Sequence, residues 1–349
     1  MDPEYAAALE QAGLLKGIPL PKTVAETRAI SDLLYIGVHN QFLQSYLPPE
    51  NKYVATDRSV PVEGGQITVR CLVPTVGDEK ETFPLLVYIH GGGWSMGNVD
   101  MDDYLLRIQC VEHKLSIVNI EYRLAPEHPF PIPLNDCYAA LKWVRAHIAT
   151  MLCLKPADER LHNQAVSNTS LLGADLSKGF LIGGDSAGAN ISVVLSHVAR
   201  DDPIFEGRRF TGMYLCEPNI CHYSAYPESL KSKFRSFEEY SDMPTLSRQA
   251  LDQLNGWYNA PPTDPRFSPL LYPSHRGVPR TYIQAMELDP LRDDAFVYAE
   301  VLRDAGVETK LDLNMGVTHA FHYGFPSLPA ATKVRENLKR GLEWLLKRA

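Results

Sequence analysis

From residue 85 onward the chain alternates short apolar runs with helical patterns, and this rhythm limits the fold more than any other feature. The runs LLVYIH (85–90), SIVNIEYR (116–123), GFLIGG (179–184), TGMYLCEP (211–218), TYIQAME (281–287) and KLDLNM (310–315) have the length and apolar density of buried strands. Helical periodicity fills the intervals near 102–114, 135–150, 187–200 and 291–305, and closes the chain near 328–347. Strands joined by helices need crossover connections, so the sheet is mostly parallel and covered on both faces. Two earlier strands, near 53–62 and 66–73, flank Glu63-Gly64-Gly65, whose glycines admit the positive φ of a tight hairpin. The expected class is α/β, about eight strands opened by an antiparallel pair.

Two segments break the rhythm. Residues 1–49 carry helical patterns around 3–15 and 23–47, the second with Ile30, Leu33, Leu34, Ile36, Phe42, Leu43 and Leu47 as its apolar positions. Residues 219–262 sit between consecutive core strands, are rich in aromatics, and have a helical stretch near 245–258. Open parallel sheets place their sites at the carboxyl ends of strands, so an excursion from such an end roofs the site. The expected organisation is a body of residues 50–218 and 263–349, with residues 1–49 and 219–262 as a helical cap. Tyr35, Phe42, Tyr223, Tyr226 and Phe234 are the cap residues expected to face the pocket. Residues 152–173, polar and irregular, read as a surface insertion.

Composition narrows the partner. A formal net charge of -8 provides no basic field for nucleic acid or an anionic membrane, which leaves a small molecule. Cys71, Cys110, Cys137, Cys153, Cys216 and Cys221 form no C-x-x-C pair and read as free thiols in a reducing compartment. The acidic start MDPEYAAALEQAGLL lacks the build of a signal peptide, and no run of eighteen apolar residues exists, so a cytoplasmic protein without a stable membrane anchor is expected. The sequon Asn168-Thr169-Ser170 then reads as a polar loop.

Two copies of G-x-S-x-G compete for one role: Gly93-Trp94-Ser95-Met96-Gly97 and Gly184-Asp185-Ser186-Ala187-Gly188. A serine hydroxyl becomes a nucleophile only where a sharp strand-to-helix turn presents it to a histidine and to backbone N–H groups. The strand FLIGG runs directly into Ser186, and AGANISVVLSHVAR continues as a helix whose dipole favours nearby negative charge. Ser95 lies five residues beyond its strand, is followed by a poor helix start, and has no glycine-rich loop upstream. Ser186 is therefore the expected nucleophile. His90-Gly91-Gly92-Gly93 becomes the loop after the third strand, supplying oxyanion-hole N–H groups beside that of Ala187.

In this architecture the acid and then the histidine follow the nucleophile, each on a loop leaving a late strand. MELDPLRDD and GVTHAFHYG are those loops, with Asp289 and His319 the leading candidates. Glu287, Asp293 and Asp294 are rivals for the acid, and His322 for the base. Two histidines without a third ligand make a thin metal site, so neither metal nor cofactor is expected.

HGGGW, EYRLAPEHPFP, GDSAG, DPLRDD and THAF together resemble the hormone-sensitive-lipase-like family of α/β-hydrolases, from about residue 50 to the C-terminus. The resemblance implies the α/β-hydrolase fold and a carboxylic-ester hydrolase with Ser186 as nucleophile, His319 as general base and acid, and Asp289 orienting the imidazole. By the family pattern Gly92 and Gly93 join Ala187 in the oxyanion hole while Gly91 shapes that loop, and Arg123 and Glu127 brace it. Ala320 departs from the glycine usual after the histidine. The absence of an interfacial apolar anchor in the sequence favours soluble, small to medium acyl esters over lipid droplets. The same triad serves a biosynthetic deacetylase, thioesterase or acyltransferase, and some non-catalytic receptors also resemble the family.

Overall fold

Alternate residues along the central strands point to opposite faces, and each face meets its own apolar layer. The computed structural model describes residues 1–17, 19–75, 81–153 and 172–347. Most of the expected insertion at 152–173, and all of the Asn168 sequon, lies outside the described residues.

The eight strands are β1 (Tyr53–Val62), β2 (Gly65–Pro74), β3 (Leu85–Ile89), β4 (Ser116–Glu121), β5 (Phe180–Asp185), β6 (Gly212–Cys216), β7 (Arg280–Met286) and β8 (Thr309–Asn314). They lie in the order β1-β2-β4-β3-β5-β6-β7-β8. β2 pairs antiparallel with both β1 and β4, and every later pairing is parallel. Leu85, Val87 and Ile89 enter one core with residues of the helices Ile132–Cys153, Ala187–Asp201 and Arg292–Asp304. Leu86 and Tyr88 enter the other, against the helices Pro3–Gln11, Asp103–Glu112 and Pro329–Leu346. Cys71, Cys110, Cys137, Cys216 and Cys221 are buried free thiols within this body.

The helix Pro3–Gln11 is anchored in the second core by Tyr5 and Leu9, both fully buried. A capping box between Thr23 and Glu26 starts the helix Val24–Ser31. The sequence pattern predicts one regular helix over 23–47; instead the chain widens into a π-helix over Asp32–Asn40. That stretch buries His39 and Asn40, and the Asn40 amide donates to the Asp100 carbonyl at 2.7 Å. Wide turns of this kind recur near functional sites, and here the stretch follows directly on residues that line the cleft described next.

Candidate active site

β5 ends at Asp185, and the next residue makes the turn. Ser186 has φ 49°, in the left-handed region that a serine adopts only when its surroundings hold it there, and its N–H donates to the Cys216 carbonyl at 2.8 Å. The motif's glycines serve a different need from the one their flexibility suggests, since neither has positive φ. A Cβ on Gly184 would stand 2.1 Å from the Ile89 carbonyl oxygen, and one on Gly188 would stand 2.0 Å from it. Only glycine lets the turn lie this close to the end of β3. Ala187 opens the helix Ala187–Asp201, so its N–H is among those with no intrahelical acceptor.

The loop after β3 comes alongside. Gly92 (φ 101°) and Gly93 (φ 56°) line the same cleft as Ser186, whereas Gly91 lies behind it. The Gly91 carbonyl accepts from the Tyr122 hydroxyl at 3.2 Å, and a Cβ there would meet an Asp185 carboxylate oxygen at 2.9 Å. The Gly92 carbonyl accepts from the N–H groups of Ser95 (3.1 Å) and Met96 (2.9 Å), which closes a tight turn. Trp94, buried with φ 58°, stacks on Tyr258 at 4.5 Å and pins the loop from beneath. Ser95 is buried with no hydrogen-bond partner for its hydroxyl and does not line the cleft.

From the other side, Nε2 of His319 lies 3.0 Å from Ser186 Oγ, and Nδ1 lies 2.7 Å from Asp289 Oδ2. Asp289 Oδ1 accepts the Leu291 N–H at 2.8 Å, which fixes the carboxylate's plane. Nδ1–H thus donates to Asp289 and leaves Nε2 as the acceptor for the serine proton. Burial works against the imidazolium but is outweighed by the charges of Asp289 and Glu217, the Asp289 hydrogen bond and Asp185, so His319 is pushed up to about 10. Ala320 carries φ 54°, which explains why a glycine suits that position.

The rival acids have other work. Asp293 accepts the N–H groups of Arg235 and Ser236, each at 2.7 Å, and Asp294 those of Ile220 and Cys221 at 2.8 and 3.1 Å, so both tie the 219–262 segment to the body. Glu287 accepts the Gly316 N–H at 2.7 Å. His322 is buried away from the cleft, and burial holds it well below the usual imidazole range.

The cleft has a volume of about 360 Å³. Leu20, Ile30, Leu34, Met96, Leu246 and Leu254 supply much of its apolar wall. Of the five aromatic residues expected to face it, only Tyr35 does so. Tyr226 stacks on Phe234 at 3.8 Å against the core, Tyr223 stacks on Phe237 and donates to Asp252, and Phe42 lies beneath the Arg335 guanidinium. Aromatic density does not fix the side these rings face.

Arg123 also departs from expectation. It forks onto Asp136 and reaches the Glu63 carbonyl, not the oxyanion loop. The bracing arginine is Arg28: its Nε donates to the Ser95 carbonyl at 2.9 Å, its Nη2 to the Ala125 carbonyl at 3.0 Å, and its fork engages Glu127. The Glu127 expectation holds through this partner, 99 residues away in sequence.

Glu217, at the end of β6, was not singled out in the sequence. Its Oε2 lies 3.3 Å from His319 Nδ1 and accepts the Ala320 N–H at 2.8 Å. A glutamate closing an apolar strand at its carboxyl end was the available signal. Glu217, Asp289 and His319 offer ligand atoms within 4.8 Å of one another, the one such cluster of metal-binding donor types among the described residues. His319 already engages Asp289 and Ser186, and Glu217 Oε2 takes the Ala320 N–H, so the ring nitrogens a metal would need are occupied within the triad geometry.

Comparison with known proteins now adds to this geometry. A sequence family described by its α/β-hydrolase fold matches residues 86–323. The chain belongs to this α/β-hydrolase family. With its HGGGW and GDSAG motifs it falls in the hormone-sensitive-lipase-like group. The carboxylesterase NlhH of Mycobacterium tuberculosis is 34% identical over 84% of this chain and 82% of its own length. The versiconal hemiacetal acetate esterase of Dothistroma septosporum is 30% identical over 90% of this chain and 87% of its own. The crystal structure of vibralactone cyclase matches 99% of this chain and 94% of its own, with a TM-score of 0.87 at 38% identity.

Proposed function

We propose that this α/β-hydrolase is a serine carboxylic-ester hydrolase acting on small to medium acyl esters. The observation that carries the reading is the continuous contact Ser186 Oγ–His319 Nε2 and His319 Nδ1–Asp289 Oδ2, set against Gly92 and Gly93 in one apolar cleft. Ser186 attacks the ester carbonyl while His319 takes its proton, and the oxyanion is met by the N–H groups of Gly92, Gly93 and Ala187. The alcohol leaves with the proton from His319, and water activated by the same imidazole releases the acid. Asp289 holds the Nδ1–H tautomer and offsets the imidazolium charge throughout.

Residues 20–35 and 242–254, which contribute to the wall of the cleft, act as its cap. Thr245 ties that cap to the histidine loop through the Thr318 hydroxyl at 2.8 Å. A volume of about 360 Å³ lies at the small end of ligand sites, and few charged groups line it, which favours neutral esters of short to medium acyl chains.

A second reading rests on the similarity to a protein named a cyclase: a hydroxyl or thiol could replace water as the acceptor, or a thioester the ester, on the same triad. Initial rates on p-nitrophenyl esters from acetyl to palmitoyl, with the matching thioesters, test the proposal. Turnover should peak between butyryl and octanoyl, fall at palmitoyl, and vanish in Ser186→Ala. No turnover on any ester, or full turnover by Ser186→Ala, would defeat it.

A further inference from the structure

Glu217 takes no part in the steps above, yet the structure is built closely around it. It sits just past β6 with φ 49°, a conformation unfavourable for a glutamate, held by its N–H donating to the Gln284 carbonyl at 2.9 Å. Its side chain is buried between the two histidines of the HAFH loop. Oε2 accepts the Ala320 N–H at 2.8 Å and stands 3.3 Å from His319 Nδ1, whose own proton goes to Asp289. Oε1 lies 3.8 Å from Nδ1 of His322, and neither atom has a hydrogen-bond partner among the described residues.

The groups that bear on this carboxyl come from every element around it. His319 and His322 face it from their loop, Asp289 from the loop after β7, Asp185 from the end of β5, and the Tyr5 and Tyr35 phenols from the N-terminal segment. Three buried carboxylates here, Glu217, Asp289 and Asp185, share the charge of one cationic candidate, His319. Like charges so placed do not all ionise; Asp185 Oδ1 and Glu217 Oε1 both lack a partner, but only Glu217 Oε1 faces an unpartnered acceptor, His322 Nδ1, so a proton there has somewhere to point.

We propose that Glu217 is a positioning residue of this active site, held as a neutral carboxylic acid whose Oε2 fixes the Ala320 N–H and whose Oε1–H faces the vacant His322 Nδ1. The histidine loop is thereby locked while Asp289 alone supplies the charge directly behind His319. Burial raises the Glu217 carboxyl well above the usual carboxylate range, in keeping with this state. Neutrality here removes one of the charges that raise His319 and brings the imidazole back toward a base usable near neutral pH. This inference rests on the triad reading of the preceding subsection.

Glu217→Gln and Glu217→Ala test it. Glutamine reproduces a neutral side chain with one acceptor and one donor, so kcat should stay within about threefold of wild type and the acid limb of kcat/KM within about 0.3 pH units. Alanine removes both contacts and should lower kcat by about 10- to 100-fold with KM little changed. In the infrared difference between wild type and Glu217→Gln at neutral pH, the carbonyl band of a protonated carboxylic acid should appear. An acid limb lowered by about a full unit in Glu217→Gln, absence of that band, or wild-type kcat in Glu217→Ala each overturns the proposal. Should the alanine variant fail to fold, the glutamine kinetics and the band still decide. The infrared readout is independent of turnover, so failure of the triad assignment would show in Ser186→Ala and leave this result separately readable.

Discussion

Replacing Gly92 with alanine probes the oxyanion loop at its tightest point. The residue has φ 101°, and a Cβ there would lie 2.4 Å from the Met96 carbonyl oxygen and 2.8 Å from its carbon. An ordinary contact of about 3.4 Å requires the turn to open by roughly 1 Å, since both atoms belong to backbone. A donor meant to sit about 2.9 Å from the oxyanion would then lie near 3.9 Å, beyond hydrogen-bonding range. Loss of one such donor lowers kcat by about 10²- to 10³-fold, or about 2.7–4 kcal/mol of transition-state stabilisation. KM should change little, because the ground-state carbonyl makes weaker use of the same donors. The assay is steady-state hydrolysis of p-nitrophenyl butyrate, with thermal unfolding alongside. Gly306→Ala is the control, with φ 79° and nothing within 4 Å of the new Cβ, so it carries the backbone strain without the loop displacement. A folded Gly92→Ala enzyme with kcat within about threefold of wild type would refute the oxyanion assignment.

Arg28→Ala removes the donor to the Ser95 and Ala125 carbonyls and should destabilise the protein by about 1–3 kcal/mol in urea unfolding. Arg28→Lys should recover little of this, because a lysine ammonium cannot span both carbonyls and the Glu127 carboxylate in one plane. kcat/KM should show an acid limb set by protonation of His319, since a protonated imidazole cannot accept the serine proton. Asp289→Asn should move that acid limb downward, because it removes a charge that raises His319. Burial raises Asp294 to about 8, so its stabilising effect is complete below the unfolded value near 4 and is lost as pH rises toward 8. Urea unfolding across that interval should show Asp294→Asn gaining on wild type as pH increases; a constant gap would contradict the assignment.

The five central strands β3–β7 were legible because burial on both faces leaves near-continuous apolar runs, whereas the more exposed β1 and β2 were marked by the glycines of their hairpin. Ser186 could be chosen over Ser95 because strand, turn and helix signals are local and agree. Asp289 led Asp293 and Asp294 in the sequence because those two fall in the first turn of the next helix, but what the two rivals do instead was not legible there. That depends on which backbone N–H groups each acid meets across more than fifty residues of chain. Arg28 was missed for the same reason: its acceptors lie 67 and 97 residues away, and nothing in its helix pattern points to them. The rings of Tyr223, Tyr226 and Phe234 were misplaced because an aromatic-rich insertion does not reveal which way its rings face, and Phe42 because the 23–47 pattern was read as one regular helix while the chain there takes π-helical turns. Glu217 was hidden by its position at a strand end, where its left-handed turn toward the histidines is a tertiary property. The G-x-S-x-G glycines, Gly184 and Gly188, are required by the close passage of β3, a neighbour the motif itself does not name.

The central claim is that Ser186 alone of the two motif serines does the chemistry, and covalent labelling tests it most directly. Incubation with diethyl p-nitrophenyl phosphate, followed by peptide mass spectrometry, should give one phosphoryl adduct, on the peptide containing Ser186, with loss of activity in proportion. The same treatment of Ser186→Ala should leave the chain unlabelled. An adduct on Ser95, or complete inactivation with Ser186 unmodified, would contradict the account.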